Sequence, residues 1–168
     1  MPTLYMLIGP PASGKSTVVR LLAAHGATVV CPDEFRVQYP EWSQNNATLF
    51  RTIHELVQRE LRAGRDVAYD AMNVYPQWRR SLIAIAYRLH CDVVGIQMDT
   101  PLPTCLERHA TREQNVSQQT LTTDSITQLW QAMQLHPPTL TEGFTRIHHL
   151  TPSDDPHIVL STTRFTSP

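Results

Sequence analysis

One short segment near the amino terminus, Gly9-Pro10-Pro11-Ala12-Ser13-Gly14-Lys15-Ser16, constrains this chain more than any other. It fits G-x-x-x-x-G-K-[ST] at every fixed position. Before it stands the apolar run Leu4-Tyr5-Met6-Leu7-Ile8, which reads as a buried strand. After it, Ser16 to Ala24 reads as a helix with Val18, Val19, Leu21 and Leu22 on its apolar face. A strand feeding a glycine-rich turn into a helix lets backbone amides wrap a phosphate, with the helix amino-terminal field behind them. Lys15 is then expected to reach the β- and γ-phosphates, and the Ser16 hydroxyl to ligate Mg²⁺. Gly9, Ala12, Ser13, Gly14, Lys15, Ser16 and Thr17 are the expected nucleotide-binding residues. A chance glycine-rich turn is the rival explanation. Against it, Lys15 is the only lysine among 14 basic residues, and it stands where this chemistry needs an amine.

The rest of the composition sets limits. A chain of 168 residues, 41% apolar and 17% charged, is the size and mix of one folded domain. A net charge of −1 excludes a protein that holds nucleic acid by bulk positive field alone, so any polyanion must meet a local cluster. No apolar stretch approaches the length of a membrane span, and none is expected at a membrane. Cys31, Cys91 and Cys105 show neither zinc-type spacing nor a disulfide framework, and the first residues do not read as a secretion signal. The expected setting is the reducing cytoplasm.

Further along, strands and helices alternate. Thr28-Val29-Val30 reads as a second strand, with a long helix from an Asn46 cap through Arg62 after it. Val67-Ala68-Tyr69 is a third strand, and Pro76 opens a helix to about Leu89. Asp92 to Met98 is a fourth strand, followed by helical stretches near 103–112 and 122–135. Thr145 to Leu150 is a candidate fifth strand, and the tail beyond Thr151 reads as loose except around Ile158-Val159-Leu160. This order predicts an α/β fold with a parallel sheet of about five strands, helices on both faces, and ligands at the strand carboxyl ends.

Charged residues at those ends narrow the chemistry. Asp33 follows the second strand in Cys31-Pro32-Asp33-Glu34-Phe35-Arg36, and Asp70 ends the third. One acid can take a proton from an attacking hydroxyl while the other orients metal-bound water or an arginine. Each could equally be an ordinary helix cap. Arg108 and Arg112, four apart in a helical stretch, share a face that could close on transferring phosphate, or be solvated beside Glu107 and Glu113.

Together these segments resemble the polynucleotide-kinase-like branch of the P-loop kinases, the 5′-hydroxyl kinases of nucleic-acid repair and related AAA-type ATP-binding domains. The resemblance rests on Gly9–Thr17, Asp33-Glu34-Phe35-Arg36, Asp70-Ala71-Met72-Asn73 with Arg79-Arg80, Cys105-Leu106-Glu107-Arg108 with Arg112, and Pro137-Pro138 before Glu142-Gly143-Phe144. It implies a P-loop NTPase fold, with a kinase domain over 1–150, a helical lid near 103–120 and a carboxyl-terminal extension over 151–168. It implies ATP and Mg²⁺ as cofactors and a nucleic-acid 5′ end as acceptor, with repair partners supplying other domains. Asp33 would be the general base, and Lys15 and Ser16 would hold ATP–Mg²⁺. Arg36 would meet the acceptor phosphate, steadied by Asp70. Arg108 and Arg112 would act from the lid, and Asn73 and Arg79 would lie near the acceptor. Three positions depart from the family pattern: His109 for an asparagine, Val116-Ser117 for Val-Pro, and Met72 for a threonine.

Two rival readings share the cradle. One is a small-molecule kinase of the zeta-toxin or shikimate type, and the other a nucleotide-dependent switch or accessory ATPase. Trp42, Trp78 and Trp130 read as packing residues first, with Trp78 the best candidate for base stacking because it precedes Arg79. The histidines lack metal-ligand spacing and read as surface residues.

Overall fold

The computed structural model describes residues 1–113 and 121–161. Strands β1 (Thr3–Ile8), β2 (Thr28–Val30), β3 (Val67–Tyr69), β4 (Asp92–Met98) and β5 (Arg146–Leu150) form one sheet in the order β2-β3-β1-β4-β5. Every pairing is parallel; Leu4, for example, aligns with Val67 on one side and Val93 on the other. The helices are α1 (Lys15–Ala24), α2 (Pro32–Gln38), α3 (Asn46–Arg62), α4 (Pro76–Arg88), α5 (Leu102–Glu113), α6 (Thr123–Leu135) and the short α7 (Ile158–Ser161).

Side-chain alternation along β1 shows how the sheet is sandwiched. Leu4, Met6 and Ile8 enter one core with Leu49, Ile53 and Val57 of α3, Leu82 and Ile83 of α4, and Met133 of α6. Tyr5 and Leu7 enter the other with Val18, Val19 and Leu22 of α1 and Val159 of α7. A strand buried on both faces is largely apolar, as β1 is from Leu4 to Ile8. Each fully buried aliphatic side chain contributes roughly 1.5–3 kcal/mol, which fixes the sheet as the rigid base for the loops at its carboxyl edge.

Two local findings add to the sequence reading or correct it. The segment after β2, to which the sequence reading assigns no element, is helical: Pro32 opens α2, and Asp33 and Glu34 occupy its first turn. Proline at the first helical position and acids near the positive end both favour this start, but seven residues are too few to show helical periodicity. The cap of α3 is Asn45, whose side chain accepts from the Thr48 amide at 3.1 Å, and Asn46 is the first helical residue. The lid stretch is described only to residue 113, so Val116-Ser117 lies outside the described residues.

Candidate active site

The turn after β1 builds a cradle. A Cβ on Gly9 would stand 2.7 Å from Ser13 Oγ and 3.1 Å from Met98 Cβ, so the loop closes tightly only over glycine. Ala12 and Gly14 take left-handed φ values of 60° and 100°. Alternating handedness of this kind makes successive amides converge on an anion. Gly14 is the N-cap of α1, no side chain caps that helix, and no acid stands in its first turn. Its positive end therefore faces the cradle with no acidic side chain to offset it, which suits an anionic ligand. Lys15 Nζ donates to the Gly9 and Pro10 carbonyls at 3.0 and 2.8 Å, which holds the amine along the loop. Ser16 and Thr17 are exposed at the start of the helix. A cavity of about 230 Å³ opens here, lined by residues from Pro11 to Ser16 together with Cys31, Asp33, Asp70, Ala71 and Met72. Amides, an amine, a hydroxyl and two carboxylates suit a polyphosphate with a hydrated divalent cation.

A second, larger cavity of about 470 Å³ adjoins it. Its walls come from α2 (Asp33, Arg36), α3 (Asn46, Phe50, His54), the segment after β3 (Asp70 to Asn73) and α4 (Gln77, Trp78, Ser81). Asp33, Asp70, Ala71 and Met72 line both cavities. The two carboxylates thus stand on the wall between a phosphate cradle and a space of ligand size. Asp33 is 86% exposed and Arg36 Nη1 meets its Oδ1 at 2.7 Å. Arg36 also donates to Asn46 Oδ1 at 3.4 Å and lies 5.9 Å from the centre of the Phe50 ring. Asp70 is half-buried, and burial raises its pKa above the usual aspartate value; Lys15 opposes that shift, while Asp33 and Glu34 add to it.

Behind the cradle, Thr100 Oγ1 donates to the Ser13 carbonyl at 2.7 Å in a buried contact. The Thr100 carbonyl in turn accepts from Trp130 Nε1 at 3.0 Å. Arg108 reaches the loop from α5, its Nη1 3.4 Å from the Ala12 carbonyl. Arg112 follows one turn later on α5, but its side chain lies outside the described residues. The signal for Thr100 was its place just past the carboxyl end of β4; a lone threonine there carries no motif.

Three sequence expectations need correction. Arg79 does not face an acceptor. It is 0% exposed, forks onto Glu142 with both bonds at 2.8 Å, and donates to the Asn73 and His136 carbonyls. A guanidinium so fully paired inside the fold is a structural tie. Asn73 lines the larger cavity, yet it is 2% exposed and its Nδ2 is committed to the Leu7 carbonyl at 2.8 Å. Its φ of 48° explains why asparagine stands there, since that side chain tolerates the left-handed region. Finally, the ion partner of Arg36 is Asp33, where the resemblance implies Asp70. Sequence reasoning missed Asn46, Phe50, His54, Gln77 and Ser81 as cavity-lining residues. The signal was present: 46, 50 and 54 repeat every four residues, one face of a helix.

A parallel sheet with a cradle between β1 and α1, an acid in the first turn of α2 and another just after β3 match the P-loop kinase fold. Residues 4–136 match the family model AAA_33, described as an AAA domain, and the chain belongs to that family. No curated protein matches the chain. Among solved structures, Kti12 of Chaetomium thermophilum in complex with ADP-AlF3 aligns with a TM-score of 0.70 at 17% identity, over 95% of this chain and 96% of that one. A chain of the Pnkp1/Rnl/Hen1 RNA repair complex aligns with a TM-score of 0.67 at 22% identity, over 80% of this chain but 45% of its own length. A gluconokinase from Sinorhizobium meliloti aligns with a TM-score of 0.57 at 14% identity, over 95% of this chain and 88% of that one. Among the described residues no helix is long and apolar enough to cross a membrane.

Proposed function

We propose that this domain is an ATP-dependent kinase that transfers the γ-phosphoryl group to a hydroxyl held in the larger cavity, and that the acceptor is the 5′-hydroxyl end of DNA or RNA. The observation that carries the reading is the wall of Asp33, Asp70, Ala71 and Met72 common to both cavities. The hydroxyl oxygen forms the new bond to the γ-phosphorus, the bond to the β–γ bridging oxygen breaks, and ADP leaves. Asp33, at the mouth of both spaces, takes the hydroxyl proton. Lys15 and the cradle amides hold the β- and γ-phosphates, and Arg108, with Arg112 on the same helix, offsets charge on the donor. Mg²⁺, when bound, would neutralise oxygens of the triphosphate, and Ser16 and Asp70 are the residues that would hold it and its water.

Arg36 and the aromatic wall of Phe50 and Trp78 favour a nucleic-acid end: one cation for one backbone phosphate, flat rings for a base. An end-reading enzyme touches few phosphates, which agrees with a net charge of −1 and calls for a shallow salt slope. The RNA repair complex among its structural likenesses is consistent with this acceptor and with repair partners. A small-molecule acceptor is the second reading, favoured by the bounded volume of about 470 Å³ between α3 and α4.

Transfer of labelled γ-phosphate to a panel of 5′-hydroxyl DNA and RNA oligomers, nucleosides and small acids tests this. Label on oligomers that disappears in Asp33→Asn, with ATP still bound, is the expected result. Label on small molecules alone moves the assignment to the second reading. No label on any acceptor overturns the kinase.

A further inference from the structure

Along α3, Asn46, Phe50 and His54 stand at four-residue spacing, so they run down one face of the helix and along one wall of the larger cavity. Arg36 contacts the first two of them. His54 lies two turns from Asn46, about 12 Å along the helix axis. There its Nε2 meets Ser81 Oγ of α4 at 3.2 Å, a bond that crosses from one cavity wall to the other. The cavity is therefore two-ended. Asp33, Arg36 and Asp70 make a charged end beside the cradle. His54 and Ser81 make a hydrogen-bonding end away from it, with Phe50 and Trp78 on the walls.

The far end carries no formal charge at neutral pH. His54 is half-buried, and burial lowers its pKa below the usual histidine value. A neutral imidazole and a hydroxyl each donate and accept. Such a pair suits a planar, uncharged group with mixed donors and acceptors on its edge, and is a poor host for a phosphate or carboxylate.

We propose that His54 and Ser81 read the edge of the acceptor's terminal nucleobase, making them the residues that set which 5′-terminal nucleotide this enzyme prefers. The inference rests on the nucleic-acid reading above, but it is tested by binding and so fails separately from it. With its base against Phe50 and Trp78 and its edge at His54–Ser81, a nucleoside directs its sugar toward Asp33. The cavity then works as a ruler, with recognition at one end and transfer at the other.

The test uses the full chain saturated with Mg·ADP, so that the cradle is filled, and titrates the four common ribonucleosides by calorimetry. Wild-type protein should bind them unequally. Ser81→Ala and His54→Ala should each weaken the preferred nucleoside about tenfold and level the differences among the four, with ADP binding unchanged. His54→Gln, which keeps a neutral donor and acceptor, should restore part of the preference, and melting curves identify any variant that is simply unfolded. Equal binding of all four by wild-type protein, no nucleoside binding, or unchanged preference in both alanine variants would overturn the proposal. Sensitive binding without phosphoryl transfer would uphold it and sink the kinase instead.

Discussion

Arg79 and Glu142, 63 positions apart in the chain, meet in a two-pronged ion pair with both bonds at 2.8 Å. The arginine is wholly buried and also holds the Asn73 and His136 carbonyls, so one side chain fastens α4 to the turn before β5 and to the floor of the larger cavity. Arg79→Met leaves Glu142 and these carbonyls without their donor, at a cost of about 3–5 kcal/mol. A thermal melt should fall by roughly 10 °C. The variant protein that remains folded should keep its acceptor KM, which separates a structural tie from a substrate contact.

Asp70 stands at a position where function and stability pull apart. Burial raises its pKa, so the fold holds its proton more tightly than the unfolded chain does. Stability is therefore lost as pH rises from the ordinary aspartate value of 3.8 through the raised one, and the loss persists at neutral pH. Asp70→Asn should melt at a higher temperature than wild type at pH 7, with no such advantage in strong acid. On the proposed role of Asp70 beside the donor's cation, the same variant should slow phosphoryl transfer, because a neutral amide oxygen is a weaker ligand for Mg²⁺ than a carboxylate. A lower melting temperature for the variant at pH 7 would mean that the carboxylate is stabilised in the fold, against the effect of its burial.

Glu60 has the opposite sign. Its carboxylate accepts from Arg65 at 2.6 Å, from Arg59 at 3.1 Å and from Thr28 at 3.1 Å, tying the end of α3 to β2. The Arg65 hydrogen bond, chiefly, holds its pKa at about 2 against an ordinary 4.5. Stability from this group is complete above pH 4.5 and fades as pH falls toward 2. Glu60→Gln should cost about 2 kcal/mol at pH 7, the scale of a hydrogen bond to a charged group. Melting curves taken across pH should show the two proteins converging in that acid window.

Thr100 supports the cradle without touching a ligand. Thr100→Val keeps the shape and removes the buried donor to the Ser13 carbonyl. Leaving that carbonyl unsatisfied costs about 1–3 kcal/mol. Part of this cost falls on the order of the loop, so ATP affinity should fall about tenfold while the melting temperature drops by only a few degrees. Calorimetric titration with ATP reads this directly.

What the sequence revealed depended on how local the signal was. The cradle was legible because its glycine, lysine and serine positions are contiguous and sit between a strand and a helix. The sheet was legible because β1 and β4, buried almost throughout, are largely apolar runs with turn residues near their ends. Helix α2 was missed because seven residues hold barely two turns. The Glu142-Gly143-Phe144 segment stood out as a motif, but its task only appears in three dimensions. Glu142 binds Arg79, Gly143 approaches Ile83 so closely that a Cβ would lie 2.6 Å from it, and Phe144 covers Gly95. The larger cavity was invisible because its walls come from four separated segments, and only the packing of α3 against α4 brings them together.

The Gly9 amide donates to the Met72 carbonyl at 2.9 Å, where β1 ends beside the segment after β3. Met72 also lines both cavities, so the bond joins the base of the cradle to their common partition. Two reactants on opposite sides of such a partition cannot be brought together by sliding one half of the sheet past the other. In the proposed transfer the bench on which they lie is fixed, and alignment would fall to the groups around it, α2 carrying Asp33 and Arg36 on one side and α5 carrying Arg108 on the other. Substitutions that stiffen those two helices should therefore slow turnover while leaving the affinity for each substrate alone almost untouched.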